Sequence, residues 1–182
     1  MGIIIAIVIV ALLVLWVISV QRKLVNKDEL CKNAMSTIGV QQESRWDALT
    51  GMVELIKSYN EHEYNTLRDT IAQRRPIDAS STAEQVDAQE NLMGQVMSRL
   101  NVVVEQYPDL KANANYTVAL DAVDKYTNMV RTSKMVYNDT ATNYNKLIRQ
   151  IPDSIVAALF GFKVRDYLKV EDQKTGMPSL NI

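Results

Sequence analysis

The chain has 182 residues, 47% of them hydrophobic, with 20 Lys and Arg against 21 Asp and Glu. That length fits one domain, and the charge balance offers neither a basic excess for phosphate backbones nor an acidic solvating tail, so nucleic acid is not an expected partner. A single cysteine, Cys31, rules out an intramolecular disulfide framework and is compatible with a reducing compartment.

From Gly2 to Val20 every residue is apolar except Ser19, close to the length a helix needs to cross a hydrocarbon core of ~30 Å. Thirteen Ile, Leu and Val residues lie from Ile3 to Ile18; at roughly −0.3 to −0.6 kcal/mol each they favour insertion by about −4 to −8 kcal/mol. Trp16 suits an interface. The competing reading is a cleaved signal peptide, but no Lys or Arg precedes the run, the run is long for an h-region, and Val17-Ile18-Ser19 is a weak cleavage site. Lipid anchoring fits less well: Ala6 stands where myristoylation wants Ser or Thr, and Cys31 lies too far downstream. Arg22, Lys23, Lys27 and Lys32 follow the span, which predicts an N-terminus outside and a body in the cytoplasm.

No Pro or Gly interrupts the chain between Val20 and Gly39, so the span is expected to run on into the body as one rod. Between Lys27 and Arg75 the positions Met35, Ile38, Gln42, Trp46, Leu49, Val53, Ile56, Asn60, Glu63, Leu67 and Ile71 recur at three and four, which predicts one long helix with Gly39 and Gly51 as soft points. Pro76 ends it. After a polar loop from Pro76 to Thr82, Ser81 or Thr82 can cap a second helix carrying Val86, Gln89, Met93, Val96, Leu100, Val103 and Tyr107, with Gly94 read as a close helix approach. Pro108 closes that helix.

A third helix, Asn115 to Ile151, holds the longest regular seam: Tyr116, Leu120, Val123, Thr127, Val130, Lys134, Tyr137, Ala141, Tyr144, Ile148 and Ile151. At roughly 1.5 Å per residue it is about 55 Å long, so other long helices must lie beside it. Short connections make them antiparallel neighbours. Asp153 can cap a short, mostly apolar helix closed by Gly161. This helix is expected to pack on the bundle end; the alternative is that it lies against the bilayer. The architecture expected is therefore all-α: a transmembrane helix (1–21), an elongated antiparallel bundle of three long helices plus a short C-terminal one (22–170), and a frayed tail (171–182) that includes Gly176-Met177-Pro178.

Site chemistry is sparse. His62-Glu63 lacks the second histidine of a zinc-protease helix, since Thr66 stands there. Cys31 and His62 lie 31 positions apart on what reads as one helix, so no Cys/His pair forms within one copy. Glu-x-x-His pairs, Gly-rich phosphate loops and Gly-x-Ser-x-Gly elbows do not occur. No catalytic, cofactor or metal site is expected, and the chain is not read as an enzyme. Tyr137-Asn138 and Tyr144-Asn145 stand one heptad apart, either as a repeated recognition surface or as core tyrosines whose hydroxyls find partners across helices. Arg45, Glu63 and Lys134 can pair across the bundle or form a solvated rim. Asn115-Tyr116-Thr117 and Asn138-Asp139-Thr140 match glycan acceptors but fall on the seam helix and are discounted. In Tyr107-Pro108-Asp109-Leu110-Lys111-Ala112-Asn113, Pro108 bends Tyr107 out of helix, Asp109 can bond local backbone, Leu110 can plug the bundle end, and Asn113 or Asn115 can cap the next helix.

With these residues in view, the chain resembles the LemA family of single-pass bacterial membrane proteins. The 107–113 string looks like that family's most recognisable motif, and Tyr137-Asn138, Tyr144-Asn145, Ile148, Pro152, Ala158 and Gly161-Phe162 follow at its spacings. Arg45-Trp46-Asp47-Ala48-Leu49, Val53, Lys57, Tyr59 and His62-Glu63 look like its first long helix. Asn33-Ala34-Met35-Ser36 and Gln41-Gln42-Glu43-Ser44-Arg45 depart from the family pattern near the membrane. The resemblance covers the chain to about Asp172. It implies an extracytoplasmic N-terminus, a long helical bundle inside and no established catalysis; genes of the family often sit beside membrane-protease genes or in organelle-building gene sets, which suggests association rather than chemistry.

Two functions are in view. One is a scaffold anchored in the lipid bilayer through residues 2–20 that forms homo-oligomers or recruits partners at the cytoplasmic face. The other is a monomeric adaptor or regulator of a membrane protease or transporter. A metal-dependent protein centred on His62 and Glu63 is the weakest reading.

Overall fold

The computed structural model describes residues 1–170, in which helices α1 (Gly2–Ile56), α2 (Glu61–Ile71), α3 (Ala83–Gln106), α4 (Pro108–Lys111), α5 (Ala114–Arg149) and α6 (Asp153–Leu159) follow in order. Among the described residues there is no strand. The expected tail, 171–182, lies outside them.

The 55 residues of α1 form one unbroken helix, about 80 Å long at 1.5 Å per residue. Its two halves live in different surroundings. Ile3 to Leu15 leave their large apolar side chains more than half exposed, whereas Val20, Leu24, Met35, Ile38, Leu49 and Ile56 are fully buried. Length and composition make α1 a helix that can cross a membrane. Gly39 and Gly51 do not soften it. A Cβ at Gly39 would run into the Ile77 carbonyl, so this glycine lets the loop before α3 cross α1 at close range. Gly94, expected to mark such an approach, has open space around it.

The long helix expected from Lys27 to Arg75 is instead a hairpin. Asn60 takes an extended backbone (φ −153°, ψ 101°) and its side chain accepts a bond from the Glu63 amide, capping α2 and stopping α1 from continuing. α2 then runs back along α1: the Tyr64 hydroxyl donates to Glu54 (3.0 Å), Arg74 reaches Glu43 and Asp47, and Ile77 arrives beside Gly39. α3 turns upward again under a complete capping box, Thr82 with Gln85, which satisfies two free N-terminal donors. α5 returns antiparallel down the whole bundle and packs most extensively on α1. The far end is thus a bundle of four segments, not three.

Three apolar clusters follow the long axis. The far cluster joins Trp46, Leu49, Ile56, Leu67, Leu100, Leu110 and Val123. The middle one joins Cys31, Met35, Ile38, Val86, Tyr137, Ala141 and Tyr144. The third sits at the end of the apolar run, where Val20 and Leu24 meet Val156 and Ala157 of α6, with Trp16, Val17, Leu147 and Phe162 against them. α6 therefore packs against α1 and α5. Asp153 is its first residue and makes no side-chain cap. Gly161 ends it at φ +72°, and the Phe162 and Gly161 amides donate back to Ala157 and Ala158, the pattern a left-handed glycine permits.

Candidate functional site

After Gly161 the chain does not wander. It runs extended along α5 through residue 170, held by Asn138 and Asn145 with Tyr137 beside them. Asn145 accepts from the Arg165 amide and donates to the Arg165 carbonyl, both at 2.8 Å. Asn138 does the same to Leu168, at 2.9 Å each. The spacing is matched by geometry: seven helical residues rise about 10.5 Å, and three extended residues cover about 10 Å. A heptad repeat of asparagine on a helix is therefore a two-point clamp for an antiparallel extended segment. The Tyr137 hydroxyl adds a bond to the Asp166 carbonyl at 3.2 Å.

Side chains seal the strap. Arg165 places its guanidinium on Asp28 of α1 at 2.7 and 3.3 Å, and Lys32 holds the other Asp28 oxygen at 3.1 Å. Leu168 enters the middle cluster. Lys169 reaches Asp87 of α3 at 3.0 Å. The strap thus ties α1, α3 and α5 together. Burial pushes the Asp28 carboxyl up, but hydrogen bonds from Arg165 and Lys32 and their charges outweigh it and hold it below the usual carboxylate range. Burial, with the Asp28 carboxylate beside it, pushes the Tyr144 hydroxyl up to about 12. Burial likewise raises the Cys31 thiol, whose side chain is fully buried.

Above the clamp lies a polar layer between the two larger clusters. Arg45 donates to Glu90 at 2.9 Å, and the buried Lys134 ammonium stands 3.3 Å from the other Glu90 oxygen. Both amide atoms of Gln42 and the Trp46 indole N–H are buried there without a partner. The seam charges Arg45 and Lys134 pair across the bundle through one carboxylate. Glu63 pairs instead with Arg99, at 2.8 and 3.2 Å, which holds its carboxyl below the usual range.

The expected motif residues divide between two ends. At the far corner Tyr107 leaves α3 with φ −123° and packs its ring 5.9 Å from that of Tyr59, while its hydroxyl accepts from Asn60. Pro108 opens α4, Leu110 is fully buried, and Asn113 caps α5 through the Asn115 amide. Asp109 and Lys111 are exposed. Near the apolar run, Tyr137, Asn138, Tyr144, Asn145, Pro152, Gly161 and Phe162 all serve the clamp, the strap or the turn that feeds it. Tyr137 and Tyr144 are core residues; the asparagines clamp the backbone at two points, and the Tyr137 hydroxyl adds a third bond to it. Sequence reasoning missed Arg165 and Asp28, whose partnership spans 137 positions. His62 is exposed on a different helix from Cys31, and among the described residues no group of three His, Cys, Asp or Glu could hold a metal.

A sequence model of the LemA family matches residues 34–181, a stretch that contains the polar layer, the corner, the clamp and the strap. The chain belongs to the LemA family. Two magnetosome proteins of Paramagnetospirillum magneticum (strain ATCC 700264 / AMB-1), MamQ 2 and MamQ 1, are each 30% identical to it over 76 residues. That similarity covers 42% of this LemA chain and 28% of each relative, so the chain spans well under half of the relatives it matches.

Proposed function

We propose that this LemA-family chain is a membrane-anchored helical scaffold without catalysis of its own, which self-assembles or recruits partners at the cytoplasmic face of a bacterial inner membrane. One observation carries the reading: α1 passes without a break from an exposed apolar segment into the bundle core. A rigid junction fixes the angle between body and bilayer, so lateral contacts between copies repeat in one orientation and build rings or arrays. The basic flank of Arg22, Lys23, Lys27 and Lys32 supports a single pass with the N-terminus outside. The strap supports it too, because it closes the bundle beside the anchor and stiffens the junction.

Photo-crosslinking in cells from the exposed positions Val40 and Val136 tests the reading. A ladder of self-products is expected. One product with a different membrane protein in fixed ratio establishes instead the adaptor of a protease or transporter, and no product at either position overturns the scaffold.

A further inference from the structure

α6 is seated where the apolar run of α1 ends. Its buried residues Val156 and Ala157 rest on Val20 and Leu24, with Trp16 and Val17 alongside; Trp16 to Leu24 covers about 12 Å of helix, centred on Val20, the last residue of the apolar run. On its other face Ile155 and Leu159, one helical turn apart, are 65% and 74% exposed, flanked by Ile151 at 84% and Phe160 at 52%. Four large apolar side chains in one small patch need a cover. The patch continues the exposed apolar surface of the run itself, where Ile18 is 42% exposed.

Charge identifies the cover. The short helix carries no Lys or Arg, but its neighbours supply them at the same level: Arg22 and Lys23 on α1, Lys146 and Arg149 in the last turn of α5, and Lys163 just past α6 are all exposed. An apolar face ringed by cations at the end of a span matches the boundary between acyl chains and anionic headgroups, which a surface-lying helix enters by about 5–10 Å. We infer that the outward face of α6 is a second membrane contact, in which Ile151, Ile155, Leu159 and Phe160 enter the lipid interface beside the anchor while the basic collar lies at the phosphates. The inference rests on the reading of residues 2–20 as a membrane span. One helix crossing a bilayer leaves a body free to tilt and spin; a second contact off its axis fixes both. α6 would thus set the face that each copy turns to its neighbours.

The test is nitroxide depth measurement on the full-length protein in vesicles of phosphatidylcholine and phosphatidylglycerol, with labels at Leu159→Cys, Ile9→Cys and Val118→Cys. Native labelling spares Cys31, which is fully buried. Collision with oxygen reports lipid, and collision with a soluble nickel chelate reports water. The label at Leu159 is expected to shift from the aqueous value at Val118 toward the lipid value at Ile9. A label at Leu159 as wet as that at Val118, with Ile9 in lipid, overturns the inference and leaves the span standing. A label at Leu159 shielded from both reagents also overturns it, because protein then covers the patch. If Ile9 itself is wet, the span reading fails and the second contact falls with it.

Discussion

Replacing Asn145 with Ala removes both hydrogen bonds that hold Arg165 at 2.8 Å, at a site where Asn145 is only 3% exposed. Each such bond contributes a net ~0.5–1.5 kcal/mol, so the strap should lose about 1–3 kcal/mol of local stability. Alanine cannot replace either bond, and the Arg165 N–H and C=O must find water. Opening of the strap therefore becomes roughly 5- to 150-fold more frequent, at one decade per 1.4 kcal/mol. Hydrogen exchange of the strap amides, read by mass spectrometry, measures this directly. The Arg165 and Leu168 amides should exchange faster in Asn145→Ala, while amides of α3 near Leu100 stay unchanged. Asn138→Ala should do the same, and the double variant should cost less than the sum, because a strap already loose has less to lose at the second clamp. Unchanged exchange at Arg165 and Leu168 in both single variants would refute the clamp.

Acid should release the strap late. The Asp28 carboxyl lies below its usual 3.8, so its stabilisation is fully present above about pH 4 and is lost as pH falls through the lower folded value; Asp28→Asn should remove that acid transition from a pH titration of strap exchange. Asn60→Ala loses the cap of α2 and the bond to Tyr107, and should lower stability by about 0.5–2 kcal/mol in denaturant titrations. Two glycine variants should move in opposite directions in the same titration: Gly39→Ala destabilises by about 1–3 kcal/mol because the Ile77 carbonyl must give way, while Gly94→Ala, in open space, stabilises by about 0.5–1 kcal/mol.

Seam positions were legible because a buried stripe leaves a period in the sequence. Met35, Ile38, Trp46, Leu49 and Val53 on α1, and Val86, Met93, Val96 and Leu100 on α3, are all buried. The hairpin at Asn60 was hidden by that same regularity, since α1 and α2 keep one phase across the turn. A local signal did exist: Asn60 followed three residues later by Glu63 is a cap signature, and both stand at seam positions where an apolar residue belongs. The corner at 107–113 was readable in detail because Pro108, Leu110 and Asn113 each act within a few residues of their own position. The strap was not. Its recognition is of backbone by Asn138 and Asn145, which leaves no mark on the identity of the residues recognised, and residues 162–170 have no helical period to announce them. Gly39 and Gly94 look alike in sequence, and only the path of the 72–82 loop tells them apart.

The central claim is a body held rigidly at a membrane so that copies assemble. Light scattering of the full-length protein in mild detergent, beside a version lacking residues 1–19 that keeps Val20 and Leu24 under α6, tests it most directly. An assembly of many copies that falls to small species on truncation is the predicted result. A monomer in both preparations would contradict assembly of copies through the rigid junction.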